Sequence, residues 1–297
     1  MIISCNPSNF PFKINKEDVE ENPFYEKLSL CVGTIYQNVS EAHKGEDNFF
    51  KYFDTSETYA NDIYMLYRSV ESCLDSINYA ISFISRYGTK DYMRKDFVPF
   101  DKFCLYHFDV ICHKVSTLKD LYFKIVNKVY KIGLEKPTWN ALRKYKDEIN
   151  NEHLFSILEA NFSLMEAIDN KRNESSHEGN IRLSILNDLS LYLMASSFHE
   201  KVPNMEYDWK YEKGSIVYKN QIKKAKKEML DYLNVVKYNA FIVTKCFMCS
   251  LAPQLEILLK ELFPNISLEN DKLAVSRISC TMPYCKNCGF KLVEAGL

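Results

Sequence analysis

Six consecutive residues near the middle of the chain join an arginine to a histidine at short spacing. They read Arg172-Asn173-Glu174-Ser175-Ser176-His177, and both end residues are scarce types, because the 297 residues include only seven Arg and six His. An arginine guanidinium is a planar fork of donors that matches a phosphate group. A histidine takes up and releases protons near neutral pH. The pair therefore carries the chemistry needed to hold a phosphodiester and to move a proton during its cleavage.

The arginine follows a predicted helix that runs from about Glu152 to Lys171. Apolar residues recur there at spacings of three and four, which indicates one buried helix face; they are Leu154, Leu158, Phe162, Met165 and Ile168. Arg172 stands four residues after the last of them. We therefore expect its guanidinium to continue the inward stripe instead of facing bulk water.

The histidine is predicted to begin the next helix. Ser175 and Glu178 fit a capping box, with the serine as N-cap and the glutamate three residues later. This places His177 in the first turn, and counting on by fours leads to the apolar residues Ile181, Ile185 and Leu189. We expect the free N–H groups of that helix start to form an anion site beside the imidazole.

The rest of the chain also shows helical periodicity. Further long helices are predicted over 56–85, 100–132 and 216–251, with shorter ones near 26–40, after Pro137 and ending near Phe263. With only eight Gly and nine Pro, this predicts an all-α fold, a bundle of about five long antiparallel helices with short accessory helices. We expect an irregular N-terminal extension (1–50), the bundle (51–263) and a cysteine-bearing tail packed on it (264–297).

The composition is that of an ordinary globular protein. The formal net charge is −1, so an RNA contact must depend on a local patch of the surface. The most apolar stretch, 240–259, contains Lys245, Pro253 and Glu256, which argues against a membrane span. The N-terminus has no basic region followed by a long apolar one. We expect a soluble, cytoplasmic protein whose cysteines are reduced thiols.

The hexad and its helical surroundings resemble the HEPN superfamily. The hallmark of that family is an Arg, a polar residue, three variable positions and a His, matched here by Arg172, Asn173 and His177. The helical resemblance covers roughly residues 55–260, and the hexad is its specific part. It implies an all-α bundle that dimerises, with two motifs facing one cleft. Many members are metal-independent endoribonucleases of toxin–antitoxin or antiphage systems, whereas others only bind or serve as scaffolds.

The chemistry of RNA fits this expectation, because RNA carries its own nucleophile in the 2′-OH. His177 would act as general acid or base, Arg172 would hold the phosphate, and Asn173 would orient one of them. Four neighbours are expected to support these residues, namely Glu166, Asp169, Ser175 and Glu178. A purely structural reading is the alternative, in which Arg172 caps its helix or pairs with a nearby carboxylate and His177 joins two helices.

Two further groups of residues are candidates for binding. Lys223, Lys226 and Lys227 lie on neighbouring turns and would guide an RNA backbone, although such a run is more often a solvated helix face. A structural zinc site would use cysteines of two C-x-x-C pairs and one nearby, listed as Cys246, Cys249, Cys280, Cys285 and Cys288. The apolar helix around the first pair disfavours zinc, since buried Cys often acts as a small hydrophobe.

The sequence thus predicts an endoribonuclease that requires no cofactor. The expected partners are RNA, a second copy of the chain and an antitoxin. The alternative is a catalytically inactive HEPN module that binds nucleotides, RNA or protein.

Overall fold

The described part of the chain is built almost entirely from α-helices. The structure, a computed structural model, describes residues 22–88, 99–178 and 216–268, with a few separate positions beyond 178. The helices are α1 (Pro23–Ala42), α2 (Thr55–Ser85), α3 (Phe100–Val129), α4 (Trp139–Arg143), α5 (Lys146–Ile149), α6 (Glu152–Glu178) and α7 (Ile216–Leu262), with a 3-10 helix at Phe49–Tyr52. Two-residue strands, β1 (Tyr284–Cys285) and β2 (Phe290–Lys291), pair antiparallel near the C-terminus. The predicted all-α fold class is confirmed.

Neighbouring long helices run in opposite directions. Between α1 and α2, Tyr25 contacts Tyr67 and Tyr36 contacts Tyr64. Between α2 and α3, Tyr87 contacts Phe103 and Phe83 contacts His107. Between α3 and α6, Tyr130 contacts Asn151 and Phe123 contacts Phe162. In each set the residue number rises along one helix while it falls along the other. This up-and-down arrangement is the packing that short connections favour in helix bundles.

The first helix begins earlier than the sequence pattern suggested and belongs to the core. The side chain of Asn22 accepts a hydrogen bond from the Phe24 amide at 3.1 Å, so an N-cap precedes Pro23. Phe24, Leu28 and Cys31 on this helix are fully buried. Residues 23–42 are therefore helical core, and the expectation of an irregular extension through residue 50 is wrong for them.

Helices α2 and α3 match their predicted ranges closely. Beyond the end of α3, Lys131 and Gly133 have φ values of 52° and 80°, a left-handed conformation that stops a helix. Asn127 closes this turn, because its side chain donates to the Leu134 carbonyl and accepts from the Leu134 amide, both at 2.9 Å. Tyr106 contributes to the apolar periodicity of α3, yet it is 68% exposed.

The last long helix runs without interruption through a proline. We expected one helix to about Leu251 and a shorter one after it, but α7 extends over 47 residues with Pro253 inside. Proline removes one backbone hydrogen bond, a cost that burial on both sides of it can exceed. Pro253 itself is exposed, while Leu251 and Leu255 are fully buried. The side-chain amide of Asn151 also donates a hydrogen bond to the Ser250 carbonyl at 3.2 Å.

By length and composition alone, α7 is the one helix of the described ranges that could cross a membrane. Within the structure, however, 56% of its most apolar window is buried. Thr244 on this helix shares a 2.6 Å hydrogen bond with the Tyr122 hydroxyl of α3, and Glu256 pairs with Lys27 of α1. The apolar side chains of α7 are therefore covered largely by other helices of the protein.

The chain divides into two compact units, and long helices contribute to both. Of the described residues, the first unit contains 73–88, 99–116, 165–178 and 216–239. The second unit contains 22–72, 117–164 and 240–268. The Arg-Asn-x-x-x-His hexad belongs to the first unit, which therefore holds the candidate site.

Candidate functional site

The hexad lies inside one helix and not at a junction between two. Helix α6 continues from Glu152 to Glu178 and includes all six residues. The predicted helix end at Lys171 and the capping box at Ser175 are therefore wrong. An N-cap residue needs a non-helical backbone, whereas Ser175 is helical. No Gly or Pro occurs between 152 and 178, so nothing in the sequence forces the helix to stop.

The continuous helix fixes where the backbone places the two key positions. Positions 172 and 177 are five residues apart, which separates them by about 140° around the helix axis and about 7.5 Å along it. Position 172 is four residues after Ile168, which is 1% exposed. Position 177 is four residues after Asn173, which is exposed, as is Asn170 one turn earlier. The backbone thus assigns 172 to the inward face and 177 to the outward face of α6.

This register removes two expectations about the local chemistry. A helix interior has its N–H groups bonded to carbonyls four residues back, so the amides around Ser175 do not form an anion site. We also expected His177 to begin the buried face of a second helix. That prediction is wrong, because position 177 lies inside α6. The side chains of Arg172 and His177 lie outside the described part of the structure, and so do residues Ile181 and Ile185. Leu189 is helical and buried.

The four predicted supporting residues also lie on α6. Glu166, Asp169, Ser175 and Glu178 are all helical, and their side chains fall outside the described set. Position 169 is three residues before 172 and four before 173, so it neighbours both on the helix surface.

The three lysines proposed to guide RNA differ in their surroundings. Lys223 and Lys227 are exposed on α7, four residues apart, so they share one face of the first unit. Lys226 is half-buried, and its ammonium donates to the Tyr87 carbonyl at 3.4 Å, just beyond the end of α2. Burial lowers the pKa of Lys226. Lys226 therefore contacts the turn that follows α2. Only Lys223 and Lys227 remain as exposed candidates for contacting RNA.

A buried polar cluster near the start of α3 was not foreseen. Asp101 is 7% exposed, and its Oδ1 has no hydrogen-bond partner among the residues that the structure describes. Burial and, to a smaller extent, nearby groups including Asp101 raise the pKa of Tyr87 to about 12. Burial and then Asp101 also raise the pKa of Tyr218. The sequence signal was weak, because an acidic residue in a first helical turn is usually an exposed charge at the helix dipole.

The two histidines of α3 have separate surroundings. His107 packs against the rings of Phe83 and Phe103, with centroids at 5.3 and 4.5 Å, and burial lowers its pKa. His113 is exposed and lies 3.6 Å from the Asp109 carboxylate, one turn earlier on the same helix. Each contact explains its histidine without a ligand.

The cysteines give no described metal centre. Cys246 and Cys249 are half-buried thiols on α7. Cys285 ends β1, while Cys280 and Cys288 lie outside the described residues. Across the described ranges, no group of three or more His, Cys, Asp or Glu is placed to hold a metal ion.

No family model, no curated protein and no solved structure matches the chain. The likeness to the HEPN superfamily therefore rests on the hexad and the helical pattern.

Proposed function

We propose that this protein is a metal-independent endoribonuclease of HEPN type. The observation that carries the proposal is the hexad, which joins the scarce Arg172 and His177 within two turns of one helix. Asn173 between them is exposed on the same face as position 177. Asn173 is accessible to a large substrate such as RNA, and position 177 follows it one helical turn later.

The helix register favours a site that is completed by a second copy of the chain. Positions 172 and 177 diverge by about 140° on α6, so one copy does not direct both toward the same phosphate along a single helix face. In a homodimer, Arg172 of one copy meets His177 of the other in a shared cleft. This arrangement also gives a straightforward reason for dimerisation, because neither copy is complete alone.

The proposed reaction is an internal transfer of the phosphoryl group. The 2′-oxygen of the ribose attacks the adjacent phosphorus while His177 takes the hydroxyl proton. Arg172 stabilises the charge that builds on the phosphoryl oxygens. The bond to the 5′-oxygen breaks, and that oxygen receives a proton from the imidazolium of the second His177 in the cleft or from water. The products are a 2′,3′-cyclic phosphate and a 5′-hydroxyl.

The proposed setting follows from the same resemblance. A nuclease that needs no metal must be restrained in its host, so the protein would act as a toxin or antiphage effector in the cytoplasm, with an antitoxin as partner. Lys223 and Lys227 offer a basic approach to RNA on the unit that carries the hexad.

The test is cleavage of mixed RNA in excess EDTA by the wild type, His177→Ala and Arg172→Ala. We expect each substitution to lower the cleavage rate by about a hundredfold or more. His43→Ala and Arg143→Ala, which change the same residue types in the second unit, should cleave at the wild-type rate. Equal cleavage by all five proteins, or none by the wild type, would refute the proposal.

A catalytically inactive module that binds RNA or nucleotides is the second candidate. The divergence of positions 172 and 177 on one helix favours it if the chain works as a monomer. It predicts that wild type binds RNA without cleaving it and that Arg172→Ala abolishes binding.

A further inference from the structure

The connection between α1 and α2 carries a cluster of aromatic rings in the second unit. This connection consists of residues 43–54. The ring of Tyr36 on α1 contacts Phe50 and Phe53 of the connection at centroid distances of 5.4 and 5.6 Å. The Tyr36 hydroxyl also donates a hydrogen bond to the Asn61 side chain of α2 at 2.6 Å. The connection is therefore packed against a tyrosine that links both helices.

Two rings of the connection stay exposed in spite of these contacts. Phe50 is 50% exposed and Tyr52 is 38% exposed. The His43 ring stacks on Tyr52 with centroids 3.6 Å apart, which fixes the orientation of the tyrosine. Two rings of roughly 200 Å² each, exposed to this degree, present about 180 Å² of apolar surface. A folded partner buries about 800 Å² on each side of an interface, so these rings suit a short extended segment better.

Carboxylates flank the exposed rings along the chain. Residues 36–64 contain six Asp or Glu against two Lys. Two of the six pair with lysines, because Glu46 lies 2.8 Å from Lys51 and Asp62 lies 2.8 Å from Lys128. The other four have no cationic partner in the described part of the chain, and they are Glu41, Asp47, Asp54 and Glu57. Where these four accept a hydrogen bond, the donor is a neutral amide, so their negative charge is not neutralised.

The connection already holds one cation by a ring and a carboxylate together. The Lys51 ammonium lies 4.8 Å from the centre of the Tyr52 ring and 2.8 Å from Glu46. A cation is attracted to the face of an aromatic ring as well as to the carboxylate. Phe50 has Asp47 three residues before it and Asp54 four residues after it. It therefore offers the same two groups to a cation from another molecule.

The charge of the connection decides between the possible occupants. RNA and an anionic membrane surface carry negative charge, so the unneutralised carboxylates repel both. A second copy of the chain would bring the same carboxylates opposite one another. A protein segment rich in Arg or Lys is complementary to the carboxylates and the rings alike, and a guanidinium also stacks flat on an aromatic ring.

We propose that the connection docks a short Arg- or Lys-rich segment of another protein. A guanidinium of that segment stacks on Phe50, and neighbouring cations pair with Asp47 and Asp54. The connection belongs to the second unit, whereas the hexad belongs to the first. The inference therefore needs no RNA cleavage, and it can hold or fail independently of the proposed function.

The test measures binding of a fluorescein-labelled peptide of alternating arginine and glycine by fluorescence anisotropy. The wild type should bind it with a dissociation constant below about 100 μM. Phe50→Ala should weaken binding at least about fivefold, whereas Phe50→Tyr, which keeps the ring, should bind like the wild type. Asp47→Lys should weaken binding at least about tenfold, because it places a like charge against the peptide.

Matched substitutions in the first unit separate this docking from general attraction of a basic peptide. Phe83 is 49% exposed, close to the exposure of Phe50, and Asp75 is exposed like Asp47. Phe83→Ala and Asp75→Lys change the same residue types by the same amounts of ring and charge. Both variants should therefore bind the peptide like the wild type.

Three results would overturn the proposal. The first is a wild type that does not bind the peptide at about 100 μM. The second is equal weakening by the substitutions at Phe50 and Phe83, or at Asp47 and Asp75, which would mean that the peptide has no defined site. The third is binding of single-stranded RNA or of phosphatidylserine vesicles that Phe50→Ala abolishes, since the connection would then receive an anionic partner. Retained binding by Phe50→Tyr beside its loss in Phe50→Ala assigns the effect to the ring and not to misfolding.

Discussion

The two halves of α3 carry the same kinds of residue in opposite surroundings. Tyr122, in the second unit, is 1% exposed and bonded to Thr244, whereas Tyr106, in the first unit, is 68% exposed. In the second half, the apolar residues from Leu118 to Val129 are buried, and the exposed positions carry charge, as at Asp120 and Lys124. The first half alternates buried Phe108 and Ile111 with an outward stripe of charge and aromatic surface.

This difference separates stability from recognition within one helix. In the covered half, Tyr122 and Asn127 make side-chain hydrogen bonds inside the chain, so changes there should appear as losses of folding free energy. The open half leaves apolar surface exposed, since Tyr106 is 68% exposed. Changes there should affect association and function while leaving the folded monomer intact.

The largest expected effect comes from the two tyrosines. Tyr122→Ala removes a buried ring and should lower the free energy of unfolding by about 3–5 kcal/mol. Tyr106→Ala should change it by less than about 0.5 kcal/mol, because the side chain is exposed. Urea denaturation of both variants measures this contrast. Similar losses for the two substitutions would remove the distinction between the halves of α3.

A smaller loss is expected at the end of the covered half. Asn127→Ala removes both hydrogen bonds that close the turn onto Leu134 and should cost about 1–2 kcal/mol. Asn234→Ala, at an exposed position of α7 in the first unit, serves as the matched control and should be nearly neutral. Thermal unfolding of the two variants is sufficient. An unaffected midpoint in Asn127→Ala would mean that the turn is held by other contacts.

The smallest effect concerns the pH dependence of stability. Burial lowers the pKa of His107 in the first unit and of His153 in the second below the ordinary value of 6.5. The unfolded chain therefore binds these protons more readily, so stability is complete above pH 6.5 and falls as the pH drops through the folded pKa values. Urea unfolding at pH 7 and pH 5 should show a smaller loss in His107→Phe, which keeps the ring stacked on Phe83. An unchanged loss would contradict the burial of this imidazole.

The sequence predicted the helices where periodicity and stop signals agreed. The ranges of α2 and α3 follow from apolar spacing and from Gly133, because local pattern and tertiary packing point to the same boundaries. Pro253 and Ser175 led to wrong helix boundaries. A helix breaker or a capping residue expresses only a local preference, which packing can override. The same mistake governs the site, as the predicted junction would have placed His177 in the first turn of a second helix, whereas it lies within α6.

The exposed side of α3 was hidden for a related reason. A ring such as Tyr106 adds to an apolar count whether it faces the core or a second molecule. Only the structure shows which aromatic residues on the helix are covered. The buried Asp101 was equally invisible, because the acidic residue of a first turn carries no mark of its burial.

The most direct test of the account mixes the two inactive variants, Arg172→Ala and His177→Ala. If Arg172 of one copy acts with His177 of the other, heterodimers regain one intact pair, and the equimolar mixture should recover up to about one quarter of wild-type RNA cleavage in EDTA. Each variant alone should stay inactive at the same total concentration. A mixture that forms heterodimers yet remains as inactive as its components would contradict a site shared between two copies.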